Sequence, residues 1–207
     1  MRHIRRVPTP EKGILRALVR MSEIRDPYTA GHERRVAHLA TAIGTRMRIG
    51  EKSLHAVHLA GIVHDIGKIA VPVEILNKPG KLNSHEMGLI RTHPEVGFDI
   101  LKDSNLPDHV AEIVLQHHER VDGTGYPHGT RNGDIRLESR ILAVADVVES
   151  MISHRPYRPG LGVEHALGEI ESGIGTRYDG EVVRVCIYLF RDGGFTLPEH
   201  GSSSSQQ

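Results

Sequence analysis

The chain is poor in cysteine, in net charge and in long apolar runs, and each shortage removes a class of protein. Its 207 residues hold one cysteine, Cys186, so no internal disulfide framework can form and a reducing cytoplasm is the default expectation. Cys186 lies in the apolar stretch VVRVCIYLF and reads as a small core residue. Lys plus Arg and Asp plus Glu both number 26, which gives a formal net charge of zero with the histidines neutral. That balance offers no general attraction for DNA or an anionic membrane, so a phosphate must be met by a few placed cations. No apolar run reaches the roughly eighteen residues that span a bilayer, and the basic start MRHIRRVPTP has no apolar stretch behind it of the kind a secretory signal needs. The chain shows no internal repeat and is expected to be soluble.

What it has is histidine and aspartate at near-even intervals: His32, His64-Asp65, His93, His117-His118 and Asp146. The gaps run from 24 to 32 residues, each about one helix plus one connection. Neutral imidazole with carboxylate is the ligand set of first-row transition metals. Seven such ligands exceed the needs of one ion, whereas two ions sharing a bridging carboxylate would use them all and leave positions for water and substrate.

Helical periodicity carries these residues. A first helix is predicted from Thr9-Pro10 to Asp26-Pro27, with threonine as N-cap and proline at the first position. A second covers about 31–49, a third 53–65, a fourth 84 to His93-Pro94, a short fifth 96–101, a sixth 106–118 and a seventh 137–153. Two more are expected near 163–172 and 181–190. The stretch 69–82 carries two prolines that keep it from continuing the third helix, and 119–134 (ERVDGTGYPHGTRNGD), with four glycines and a proline, is a long loop of the functional kind. The expected division is a lead over 1–10, one all-α domain over 11–198 and a disordered tail over 199–207 that includes GSSSSQQ.

HDIGK at 64–68, HHERVDGTGYP at 117–127 and SHRPYR at 153–158 occur in that order. Together they resemble the HD-GYP domain, a subgroup of the HD phosphohydrolase superfamily, over about residues 25–190. The resemblance implies a multi-helix HD bundle with a long GYP loop, acting as a cyclic di-GMP phosphodiesterase on a pair of divalent metal ions, Fe or Mn. It implies His32, His64, Asp65, His93, His117, His118 and Asp146 as metal ligands, with Asp65 bridging. A hydroxide activated between the ions would open a phosphodiester in line, giving pGpG and then GMP. Lys68, three residues past Asp65, would meet a phosphoryl oxygen as a point charge, and Arg155 and Arg158 match the family's phosphate-clamping positions. Asp26 and Tyr126 are further candidates at the substrate edge.

Some relatives hold a third metal through a glutamate where this chain has Tyr28, so two ions are expected. Glu149 and His154 stand where many relatives have aspartates, which bears on base recognition. Glu33, Arg34 and Arg35 read as a charged helix face. Glu119 reads either as an anchor for a ligand histidine or as loop surface, and the remaining histidines, such as His38, His55 and His58, as surface or packing residues. Alternatives to the enzyme reading are a cyclic dinucleotide receptor, or an adaptor docking a diguanylate cyclase (GGDEF) domain through the GYP loop. The alternatives within it are another cyclic dinucleotide as substrate, or a general HD nucleotidase. A homodimer is compatible with the sequence.

Overall fold

The computed structural model describes residues 31–107, 109–153 and 160–198, together with Gly13, Ala17, Arg20, Met21, Ile24 and Arg25, which are helical. Along the continuous part run α1 (His32–Arg46), α2 (Glu51–Val63), a 3-10 turn (Ile66–Ala70), α3 (Val73–Leu76), α4 (Ser84–Ile90), α5 (His93–Leu101) and α6 (Val110–Gln116). A second 3-10 turn (Asn132–Asp134) precedes α7 (Leu137–Ile152), α8 (Val163–Ser172) and α9 (Gly180–Arg191). No strand occurs among the described residues, in accord with the all-α expectation, and none of their helices is long and apolar enough to cross a membrane.

The core lies between α1, α2, α6 and α7, with α8 and α9 closing one side. On α1, Val36, Leu39, Ala40 and Ile43 recur at helical spacing and are wholly buried, each large side chain worth about 1.5–3 kcal/mol of burial. They meet Val57 and Ala60 of α2 and Leu142, Ala145 and Val148 of α7 within one cluster. α1 and α2 approach closely because Gly61 faces Ala37; a Cβ at 61 would come 2.6 Å from the Ala37 Cα. Cys186 is buried in this core, as its apolar surroundings indicated.

Local chemistry explains where the elements begin and end. Asn83 and Glu86 form a capping box that starts α4, and Asp179 accepts from the backbone N–H groups of Glu181 and Val182 at the head of α9. Several boundaries differ from expectation, three of them for an identifiable local reason. The fourth helix stops at Ile90 rather than reaching His93, and a new one starts at His93, because Pro94 has no N–H for a continuing helix but suits a first turn. The sixth begins at Val110 rather than near 106, since His109 takes a φ of 77°. The segment 69–82 is not mere loop: Pro72 ends the 3-10 turn yet is tolerated at the start of α3.

The glycine of HDIGK has a packing reason. A Cβ on Gly67 would fall 1.9 Å from the His93 carbonyl oxygen and 2.6 Å from the Gly97 nitrogen, so only glycine lets the 3-10 turn lie against the first turn of α5. That contact holds the end of α2 beside His93. Gly67→Ala is expected to destabilise the chain by about 3 kcal/mol, the upper end of overpacking costs. Urea denaturation checks it, and an unchanged midpoint would mean the turn and α5 separate cheaply.

Candidate metal centre

The helix ends gather the histidines. His64 follows the last residue of α2, His93 opens α5 three residues after α4 ends, and His117 follows α6. A helix C-terminus leaves carbonyls without intrahelical partners. In all three cases the imidazole Nδ1 takes up the carbonyl three residues back: His64 on Gly61 at 2.9 Å, His93 on Ile90 at 2.8 Å and His117 on Val114 at 2.5 Å. A carbonyl only accepts, so Nδ1 must carry the proton and each Nε2 is left with its lone pair pointing into the centre.

Those lone pairs converge. His93 Nε2 and His117 Nε2 lie 3.3 Å apart, two acceptors face to face, and the buried Nε2 of His64 has no hydrogen-bond partner. Asp65 lies between two groups of rings: its Oδ2 is 3.6 Å from His64 Nε2 and 4.0 Å from His32 Nε2, and its Oδ1 is 3.5 Å from His93 Nε2. Asp146, from the middle of α7, approaches His32 Nε2 at 3.3 Å and His64 Nε2 at 3.9 Å. His32, His64 and Asp65 could hold one ion, and His93, His117 and His118 another. Facing imidazole acceptors in a buried pocket repel unless a cation sits between them, so this donor set fits divalent transition metals.

The electrostatics agree. Burial holds the His93 pKa down to about 4 and that of His117 to about 3, and His118 is likewise well below its usual range. Burial alone would lower His32 too, but hydrogen bonds to Asp146 and Glu149 and their charges outweigh it and raise it to about 10. Burial would raise Asp65 and Asp146, yet Lys68 and the imidazoles around Asp65, and His32 with its neighbours around Asp146, keep both well below the ordinary carboxylate range. The Lys68 Nζ donates to Asp65 Oδ2 at 2.6 Å.

Behind these side chains lies a layer of buried charge, of which the sequence pattern read only Glu33 and Arg35 as a solvated face. Glu149 is fully buried and accepts from His32 Nδ1, from Arg35 Nε at 2.5 Å and from the Ser153 hydroxyl. It sits three residues after Asp146, as Arg35 sits three after His32, so each lies on its ligand's helix face; that spacing was the available signal. Glu33 and Arg35 are therefore not a solvated charged face: both are buried, and the carboxylate oxygens of Glu33 have no hydrogen-bond partner, with burial pushing its pKa up. Arg34 is exposed as expected.

Glu119 is neither ligand anchor nor loop surface. It is buried and accepts from the backbone N–H of His128 at 2.8 Å and of Thr130 at 3.0 Å, fastening the 119–134 loop to the end of α6. Gly125 lets the chain fold back there, since a Cβ would meet the Arg120 nitrogen at 2.4 Å and the His118 oxygen at 2.5 Å. Tyr126 is thereby stacked on His118, with ring centroids 4.6 Å apart at 27°, and presents an edge to His93. Of the expected site residues, His32, His64, Asp65, Lys68, His93, His117, His118, Tyr126 and Asp146 are thus brought together. Asp26, Arg155 and Arg158, like Tyr28 and His154, lie outside the described residues.

Comparison with known proteins gives a consistent picture. A family model described as an HD domain matches residues 16–182. A "Cyclic di-GMP phosphodiesterase" of Thermotoga maritima is 41% identical over 86% of this chain and 49% of its own length. A "3'3'-cGAMP-specific phosphodiesterase 3" of Vibrio cholerae is 34% identical over 81% of this chain and 36% of its own length. Among solved structures, Bd1817, an HDG"Y"P protein from Bdellovibrio bacteriovorus, aligns with a TM-score of 0.65 and 20% identity, covering 77% of this chain and 51% of that one; the likeness concerns the fold. The chain spans less than half the length of these two curated relatives.

Two outcomes follow from the geometry. Removing the anchor of His32 by Glu149→Ala is expected to weaken metal affinity about 10- to 100-fold; chelator competition on the folded variant measures it, and an undiminished affinity would show that His32 needs no anchor. The second concerns the chelated protein. In the unfolded chain the histidines titrate near 6.5, whereas the fold refuses protons on His93 and His117 until about 4 and 3, so stability falls as pH drops below 6.5. The depressed carboxylates, Glu149 at about 2 among them, act in the same direction at still lower pH. His32 contributes fully below 6.5 and loses its contribution as pH rises toward 10. Urea midpoints across this range should therefore peak near pH 6.5 in chelator, and a monotonic profile would contradict the assigned protonation states.

Proposed function

The chain belongs to the HD-domain family, and from that premise we propose that it is a metal-dependent phosphodiesterase hydrolysing cyclic di-GMP to linear pGpG and onward to GMP. The observation that carries the reading is Asp65, whose two oxygens face different imidazole groups, Oδ2 toward His32 and His64 and Oδ1 toward His93. In this reading His32, His64, Asp65, His93, His117, His118 and Asp146 hold two divalent ions, Fe or Mn, with Asp65 shared between them. Such ions, when bound, supply Lewis-acid polarisation of a phosphoryl group and a nucleophile from water near neutral pH.

The chain's own residues do the rest. The three Nδ1–H donors to helix-end carbonyls fix the tautomers of His64, His93 and His117, so that no proton must be expelled from an Nε2 when a ligand atom is needed. Lys68, held on Asp65, keeps a positive charge beside the shared carboxylate, where charge grows on a phosphoryl oxygen in the transition state. Tyr126, stacked on His118, acts as a positioning residue for that imidazole. Arg155 and Arg158 are assigned to substrate phosphate, and Asp26 to the site's edge, by motif position alone.

Cyclic di-GMP is favoured over other cyclic dinucleotides because the name of the 41%-identical relative carries it, while a 34%-identical relative is named for 3'3'-cGAMP. The test is anaerobic reconstitution with Fe(II) or Mn(II), followed by chromatography of reactions with each nucleotide. Metal-dependent pGpG or GMP is expected, with His64→Ala and Asp65→Asn at least about a hundredfold slower, the scale of a lost metal-ion contribution. Faster turnover of 3'3'-cGAMP would reassign the substrate. Nucleotide bound without turnover by metal-replete protein would replace the enzyme with a receptor or a cyclase-docking adaptor.

A further inference from the structure

Around the centre, most cations are already committed. Lys68 is drawn to Asp65 and Arg35 to Glu149, while Arg120 donates to the carbonyl oxygens of His117 and Glu119. Arg91 is different. It follows the last residue of α4, two residues before His93, and its side chain is exposed. Its guanidinium lies over the ring of Tyr126, 5.3 Å from the centroid, and makes no hydrogen bond or ion pair among the described residues. Two stacking steps, of 4.6 and 5.3 Å, thus connect a metal-centre imidazole, His118, with a cation at the rim.

A cyclic dinucleotide carries two phosphodiesters in one ring. While one is attacked at the centre, the other must rest within a ring's width of it and still bears a negative charge. Water can solvate that charge, but a guanidinium fork does so with two parallel, charge-assisted hydrogen bonds and fixes the ring's orientation as well. An exposed cation–π contact is the weaker interaction, so a phosphate at the rim would draw Arg91 from the tyrosine face with little loss. Its aliphatic stem can remain on the ring while the head turns.

We propose that Arg91 is a substrate-binding residue that holds the second, non-scissile phosphate of a cyclic dinucleotide, from its post over Tyr126 at the rim of the metal centre. The proposal rests on the phosphodiesterase reading above. The competing role is mechanical: Arg91 could serve only to press Tyr126 and its loop onto His118.

Two substrates separate these roles: cyclic di-GMP and bis(p-nitrophenyl) phosphate, which has one phosphodiester and therefore no second phosphate. Arg91→Met keeps an apolar stem on the Tyr126 ring and removes the cation; Arg91→Lys keeps the charge and removes the fork. In the metal-reconstituted full chain, Arg91→Met is expected to lower kcat/KM for cyclic di-GMP roughly ten- to a hundredfold relative to that for the small diester, mainly through KM. Arg91→Lys should recover part of the loss. An equal fall on both substrates would assign Arg91 the mechanical role, and unchanged kinetics on both would remove it from substrate binding altogether. A parent protein that cleaves the small diester but no cyclic dinucleotide would leave a metal-dependent diesterase and overturn the cyclic dinucleotide as its substrate, and this assignment with it.

Discussion

The architecture depends on a single device used three times: an imidazole at the end of a helix returns its Nδ1 proton to the carbonyl one turn back. The device answers two needs together. A buried helix terminus must find donors for its last carbonyls, and a metal-ligating histidine must have its proton on the far nitrogen. Because the satisfied carbonyl and the fixed ring belong to the same turn, the ends of α2, α4 and α6 can come together at one point without stranding backbone groups. Their Nε2 lone pairs are then driven to face one another, as His93 and His117 do at 3.3 Å. The fold by itself gains nothing from that arrangement.

The strain of bringing these acceptors together is contained by the layer around them. Glu149 ties His32 on α1 to α7 and is itself held by Arg35 and Ser153, so the two helices whose apolar faces form much of the core are also joined by charge at the site. Gly67 lets the HD turn lie on α5, and Gly61 lets α2 lie on α1. Glu119 performs the corresponding task for the long loop, giving both carboxylate oxygens to backbone N–H groups so that Tyr126 comes to rest on His118. Packing and polar anchoring therefore act on the same few turns, and an error in either would displace a ligand.

The clustering of these residues was legible because chemistry restricts them: few roles other than metal binding bring His-Asp and His-His pairs into register with helix-length gaps, and the fold does gather those side chains. The helices of the core were legible for a related reason, since the stripe from Val36 to Ile43 admits one periodicity. The second layer was not. Glu33, Arg35, Glu119 and Glu149 are charged residues in helical or loop context, and nothing in a local pattern separates a solvated carboxylate from one buried against another helix. Burial is decided by tertiary contact, and the hints of it were the three-residue offsets of Glu149 from Asp146 and of Arg35 from His32, the acidic family position of Glu149, and the anchoring reading of Glu119. Helix ends were misjudged where one residue's backbone overruled the periodicity, as at Pro94 and at His109 with its φ of 77°.

A centre built in this way couples the folded state to its occupant. Glu149 against Nδ1 and Asp146 against Nε2 favour the doubly protonated ring of His32, while burial favours neutral His93 and His117, so one cluster pairs a histidine that resists deprotonation with others that resist protonation. The protonated ring supplies positive charge on the Asp146 and Glu149 side; on the other side the nearest such charge is Lys68, held on Asp65. Cations would have to displace the His32 proton on one side and would meet ready lone pairs on the other. The two groups should therefore differ in how strongly protons compete for them, even though Asp65 faces both. The asymmetry arises from the placing of carboxylates: Asp146 and Glu149 crowd His32, whereas the His93, His117 and His118 group has Asp65 at its edge and the ring of Tyr126 as its cover.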